Sequence, residues 1–263
     1  VSEEHEFDAE RLRPLEYVCE ADPRSDIFVK INRQTGQTKE FELADHHEGI
    51  SHFVLHDGVP EDVLIQFETA RNLYLYAWFV YRFYPVSERH ALSTLEYALR
   101  DVLGERHKQD WEEKDRQRLE KKPNAKKRKY KLPTLFPLLQ YAIEKEIIRN
   151  EHFSDWHRGN EIRSRDRYKR QKFQELRDSG LDQITYDDDD EIEITEEDKK
   201  FDYVSQLPDI LSAVRNDYAH GSRTLHNHVL KTFETVSEII NQLYPLEVKE
   251  TEESQRATQV VHL

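Results

Sequence analysis

Apolar side chains recur along this chain in two rhythms. Over residues 61–84, Leu64, Phe67, Leu73, Tyr74, Ala77, Trp78, Val80 and Tyr81 fall at the three- and four-residue steps that make one broad helical face. Pro85 is expected to end that helix, and Ser87 with Glu88 to start another over 87–103. Its stripe is Leu92, Leu95, Leu99 and Val102, with Gly104 closing it. The join at Tyr84-Pro85-Val86 is too short for anything but two neighbouring helices. Helical spacing returns over 134–149, over 201–220 with a break near Pro208, and over 223–244, where Leu225, Val229, Phe233, Val236, Ile239, Ile240 and Leu243 form the buried side. The second rhythm is alternation. Residues 26–32 and 39–43 read as two strands joined by a turn at Gln34-Thr35-Gly36-Gln37, and Ile50 to His56 as a third.

These patterns predict a mainly α protein: a helical bundle over 61–245, a small β-containing appendage over 1–60 and a loose polar tail over 246–263. Two charged inserts interrupt the bundle, at 105–131 and 150–200. Only 37% of the residues are hydrophobic and 35% are charged, so part of the chain must be solvated helix, loop or insert.

A net charge of −14 argues against holding nucleic acid through an overall field, which leaves local patches. The densest patch, Lys126-Lys127-Arg128-Lys129, is either a solvated loop or an arm for RNA or an acidic partner. A second basic tract runs from Arg158 to Lys172, and acidic blocks at 187–190 and 196–198 follow, placed to fold back on it. One cysteine, Cys19, excludes an intramolecular disulfide and a thiol cluster for zinc, and the acidic run lacks the spacing of a calcium loop. No metal constellation is convincing and neither phosphate-binding glycine motif occurs, so no metal site and no cofactor are expected. The histidines at 46, 47, 52 and 56 are scattered, and His226 and His228 are read as solvent-facing. No apolar run approaches the length of a membrane span and the amino terminus is not signal-like, so a cytoplasmic protein without a membrane partner is expected.

The most chemical stretch is Leu211-Ser212-Ala213-Val214-Arg215-Asn216-Asp217-Tyr218-Ala219-His220-Gly221. Apolar residues at helical spacing lead into Arg, Asn and His, and Gly221 is a natural helix terminator. Arg215 and His220 are roughly 140° apart around an ideal helix, whereas Asn216 and His220 share a face. The negative end of the helix dipole favours imidazolium, which would raise the His220 pKa.

Arg215-Asn216-x-x-x-His220 on an apolar helix resembles the Arg-x4-6-His signature of HEPN domains. Residues 91–100, with Glu96, resemble the first core helix of that family, residues 134–148 its middle helix and 225–243 its last, so the likeness covers roughly 64–245. The resemblance implies an all-α bundle, a homodimer and metal-independent cleavage of single-stranded RNA, in the setting of a toxin or antiphage effector, with room for a regulatory protein partner. In that reading Arg215, Asn216 and His220 are catalytic, Glu96 and Tyr218 support them, and Lys126, Lys127, Arg128 and Lys129 hold substrate. The residues also have plainer readings. Arg215 would pair with Glu96 or another helix carboxylate and pin two helices, His220 would cap a helix, and Tyr218 would sit in a core or interface. The alternative to a nuclease is then a non-catalytic HEPN-like module that binds a protein, nucleotide or nucleic acid.

Overall fold

The computed structural model describes residues 7–32, 35–180, 191–219 and 226–246. The fold is mainly α with a small two-stranded antiparallel sheet. The strands are β1 (Val29–Ile31) and β2 (Thr38–Glu40), in register Val29 to Glu40 and Ile31 to Thr38. The helices are α1 (Leu43–Ser51), α2 (Glu61–Tyr76), α3 (Phe83–Lys121), α4 (Leu135–Glu144), α5 (Ser154–Ser179), α6 (Leu207–Ala219) and α7 (Leu230–Leu243).

The third strand expected over 50–56 is instead the end of α1 and the loop after it. Glu42 and Asp45 form a capping box that starts the helix, each carboxylate taking a backbone amide near the other. Gly49 lets α1 lie close to α7, because a Cβ there would come within 3.3 Å of Leu230 Cδ1.

The boundary expected at Pro85 is displaced. The chain breaks earlier, after Tyr76, and Pro85 lies in the first turn of α3, where a missing N–H leaves no helical bond unmade. The partner of the link is distant in sequence. Asp22, fully buried, accepts hydrogen bonds from the Tyr81 amide (3.0 Å) and from Arg24 Nε (2.8 Å), while its own amide donates to Trp78 O (2.9 Å). An N-terminal side chain thus satisfies the link between α2 and α3. Gly104 does not terminate α3 either. The helix continues through it to Lys121, with pairs such as Asp115–Arg118 (2.7 Å) and Gln117–Glu113 (2.8 Å) along its polar half.

α3 is the centre of the bundle. Leu92, Leu95, Leu99 and Leu103 are fully or almost fully buried, and α2, α4, α6 and α7 all pack on the helix that carries them. Phe67 of α2 meets Phe233 of α7 with ring centroids 6.0 Å apart, closing the core on one side. The insert expected over 150–200 contains α5, whose first turns bury Trp156 and bond its indole N–H to Phe201 O (2.9 Å). Its basic tract does meet the acidic block. Arg167 pairs with Asp198 at 2.9 Å, and Asp198 also takes the Thr195 amide and hydroxyl at 2.8 Å each. The Arg167 guanidinium and those Thr195 bonds hold the Asp198 carboxyl well below the usual range. The acidic run at 187–190 lies outside the described residues.

Burial alone would raise the Asp22 pKa, but the Arg24 fork and the two backbone amides outweigh it and the net shift is downward. A carboxylate depressed in the folded state stabilises above its unfolded pKa, and that stability is lost as pH falls through the folded value. Asp22→Asn is therefore expected to flatten the loss of stability below about pH 4. Urea midpoints measured from pH 7 to pH 2.5 check this, and a variant with the parent's acid slope would show that Asp22 does not contribute.

Candidate functional site

α6 begins at Leu207 and puts Pro208 in its first turn, so the expected break near Pro208 is the step from a 3-10 turn (Val204–Gln206) into the helix. Leu207 and Leu211 sink against the bundle. Three to five residues further on, Val214 and Arg215 are half-buried and Asn216 is exposed. The helix therefore hands the chain from the core to the surface within its last two turns.

At that point α6 meets α3. Glu96, 7% exposed, faces two guanidiniums with its two oxygens. Oε1 accepts from Arg100, one turn along α3, and Oε2 lies 3.5 Å from Arg215 Nη2. Arg100 is fixed in turn by Pro133 O, 3.2 Å from both Nε and Nη2. Arg215 Nη1 donates to Asn216 Oδ1 at 3.4 Å, and 36% of the Arg215 side chain stays exposed. A guanidinium has more donors than these two contacts use, so among the described residues part of Arg215 is left for a ligand. Among the described residues, Arg215, Asn216 and Glu96 are thus brought together. His220 lies outside the described residues, as does the side chain of Tyr218.

A second buried carboxylate stands on the same helix. Glu88, 2% exposed, accepts from the Thr232 hydroxyl of α7 and lies 3.7 Å from His226 Nε2. Eight residues separate Glu88 from Glu96, which sets them about 80° apart around α3 and about 12 Å along it. Glu96 engages the chain just before segment 220–225, and Glu88 engages the chain just after it. His226 is therefore not solvent-facing as its sequence context suggested, since it is half-buried against that carboxylate. The signal that could have found Glu88 is its place one residue after Ser87 and three before Ala91, on the apolar side of α3.

The basic cluster lies elsewhere. After Lys121 the chain turns and runs back beside the polar half of α3, where Arg118 Nη2 donates to Lys126 O (2.9 Å) and the Arg128 amide to Asp115 Oδ2 (3.2 Å). Tyr130 closes on Trp111, ring centroids 5.4 Å apart. Lys126, Lys127, Arg128 and Lys129 are exposed, and between this chain and α3 runs a groove of about 980 Å³ that Lys127, Arg128 and Lys129 line together with Trp111, Glu112 and Glu120. Asp115 is nineteen residues beyond Glu96, or about 28 Å along the helix, so the cluster and the Arg215 site are separate places.

No group of side chains among the described residues is arranged to hold a metal ion, and no described helix is long and apolar enough to cross a membrane. No family model, curated protein or solved structure matches the chain.

The shared carboxylate makes the link between α3 and α6 measurable. Glu96→Gln keeps the shape but removes the charge, and is expected to cost about 1–2 kcal/mol, below the range for a fully buried pair because Arg215 is partly solvated. In a double-mutant cycle with Arg215→Gln, urea unfolding should give a coupling of about 0.5–1 kcal/mol. Strict additivity would mean the two side chains do not interact.

Proposed function

We propose that the chain is a metal-independent endoribonuclease that cuts single-stranded RNA at a site shared by two protomers. The observation that carries this reading is Arg215. A buried carboxylate anchors it, part of it is left for a ligand among the described residues, and it stands beside exposed Asn216 at the helix end that precedes His220 in sequence. An arginine fixed on one side and free on the other suits a phosphate, whose oxygens match the planar fork.

The chemistry needs little more. The ribose 2′-hydroxyl attacks the adjacent phosphorus in line, the 5′ oxygen leaves, and a 2′,3′-cyclic phosphate remains. One group must take the 2′ proton and another must protonate the departing 5′ oxygen. An imidazole with a pKa near neutrality does either. A single His220 cannot easily do both in one concerted step, and a twofold dimer supplies a second copy by presenting the same patch from each protomer. Arg215 stabilises the extra charge on the phosphorane, and Asn216 orients the phosphate or the imidazole. Lys126, Lys127, Arg128 and Lys129 hold a longer strand away from the cut site, which compensates for the acidic remainder of the surface. A toxin or antiphage effector under the control of a regulatory protein is the biological setting that fits such an activity.

A second reading has its own support. The Glu96–Arg215 pair ties α6 to α3, and a pin of that kind needs no substrate. The protein would then be a non-catalytic module that binds a partner.

One experiment separates the two. Purified protein is incubated with single-stranded RNA in EDTA, beside His220→Ala and Arg215→Ala, with light scattering to establish the dimer. The nuclease reading expects cyclic-phosphate ends and a loss of about 10²–10⁴-fold in His220→Ala. A folded dimer that leaves RNA intact, or a mutant that cuts as well as the parent, removes it. A module predicts that Arg215→Ala weakens the fold while no RNA product appears from any variant.

A further inference from the structure

The groove beside the far half of α3 has two walls of opposite charge that do not meet. One wall is the helix, where Glu112 and Glu120 are exposed and make no hydrogen bond or ion pair among the described residues. The other is the returning chain, where exposed Lys127 and Lys129 form no ion pair among those residues either. Elsewhere opposite charges in this chain close up, as Lys145 does on Asp110 at 2.7 Å and Arg167 on Asp198 at 2.9 Å.

Other contacts hold the walls apart. Buried Asp115 accepts from Arg118 Nε at 2.9 Å and from the Arg128 amide at 3.2 Å, and Arg118 Nη2 donates to Lys126 O at 2.9 Å. The backbone at 126–128 is thereby pinned to the helix while the lysine side chains stay free. On the helix wall, Asp115 is taken up by Arg118, and Arg116 by Glu113. Between the walls lies the half-buried Trp111 ring, which meets Tyr130 at 5.4 Å and 65°. Tyr130 is fixed in turn, its hydroxyl 3.1 Å from His107 Nδ1.

The ligand that answers all of this is flat and carries both kinds of polar group: an anion for the lysines, N–H donors for the carboxylates and a ring for Trp111. A nucleotide whose base bears an amino group has the three together. An acidic peptide would satisfy the lysines, but it sets its own carboxylates against Glu112 and Glu120 and brings no ring. Eight residues separate those two glutamates, about 12 Å along α3, which leaves room for more than one base.

We propose that the groove holds single-stranded RNA by its bases as well as its phosphates and prefers bases with an exocyclic amino group, cytosine above uracil. Phosphates lie on Lys127 and Lys129, a base stacks on Trp111, and its amino group donates to Glu112 or Glu120. Uracil presents O4 at that edge, an acceptor against a carboxylate, and loses the bond. Taking RNA as the strand rests on the ribonuclease reading, and the groove then selects sequence at a distance from the cut.

The probes are 2′-O-methyl oligonucleotides of about ten residues, oligo(C) and oligo(U), which carry equal phosphates and have the attacking hydroxyl blocked. Fluorescence anisotropy on the full chain should find oligo(C) bound about five- to tenfold more tightly. Glu112→Gln combined with Glu120→Gln should bring that ratio close to one, since an amide answers amino and oxo groups alike. Trp111→Ala should weaken both strands about fivefold or more, and Trp111→Phe should keep most of the affinity. No binding by the parent, equal affinity for the two strands, or a ratio unmoved in the double glutamine variant would overturn the proposal. So would displacement of labelled oligo(C) by polyglutamate as readily as by unlabelled oligo(C), which would point to an acidic protein partner. A chain that cuts no RNA can pass this test and a nuclease can fail it, so the two readings fall separately.

Discussion

A helix of 39 residues cannot be stable on one apolar stripe that covers only its first half, and the rest of the molecule follows from how α3 meets that constraint. Around Leu92, Leu95 and Leu99 four helices bury their own stripes against it, so those residues have no exposed surface left. Beyond Leu103 the apolar positions thin to Trp111 and Leu119. There the helix relies on ion pairs along its surface and on the returning chain, whose Arg128 amide and Tyr130 ring close over Asp115 and Trp111. The basic cluster is positioned by this need. Its backbone serves the end of α3 and its side chains are left to solvent.

The two carboxylates within the buried half of α3 impose the next condition. A carboxylate in a helix seam must be met by donors or it weakens the fold. Arg100 and Arg215 meet Glu96, and Thr232 and His226 meet Glu88. In each case one facing side chain comes from the chain beside segment 220–225. The polar groups that hold α3 to α6 and α7 are therefore also the groups that flank the candidate site, and stability and chemistry draw on the same side chains.

The N-terminal segment has a similar double part. Asp22 fastens the link between α2 and α3, and α1 brings His46 into the aromatic cluster with Tyr74 and Tyr84. Exposed pairs such as Lys30–Asp45 (2.6 Å) tie the hairpin to α1, contacts that add little stability because water screens them.

The chain alone determined that the protein is mainly helical, where the main apolar stripes lie, and that a hairpin precedes them, because these are local periodicities carried by neighbouring residues. It also carried the option that Arg215 pairs with Glu96, since a cation and a carboxylate on apolar helices have few other ways to be buried. Tertiary structure decided the rest. The link between α2 and α3 is bonded by Asp22, more than fifty residues away, and α3 runs on through Gly104 into a half held by ion pairs and the returning chain. Only the folded chain joins Glu88 to His226 and Thr232, or leaves His46 Nδ1 without a partner. Local spacing fixes which face a side chain takes, whereas its partners come from other elements, and no periodicity records them.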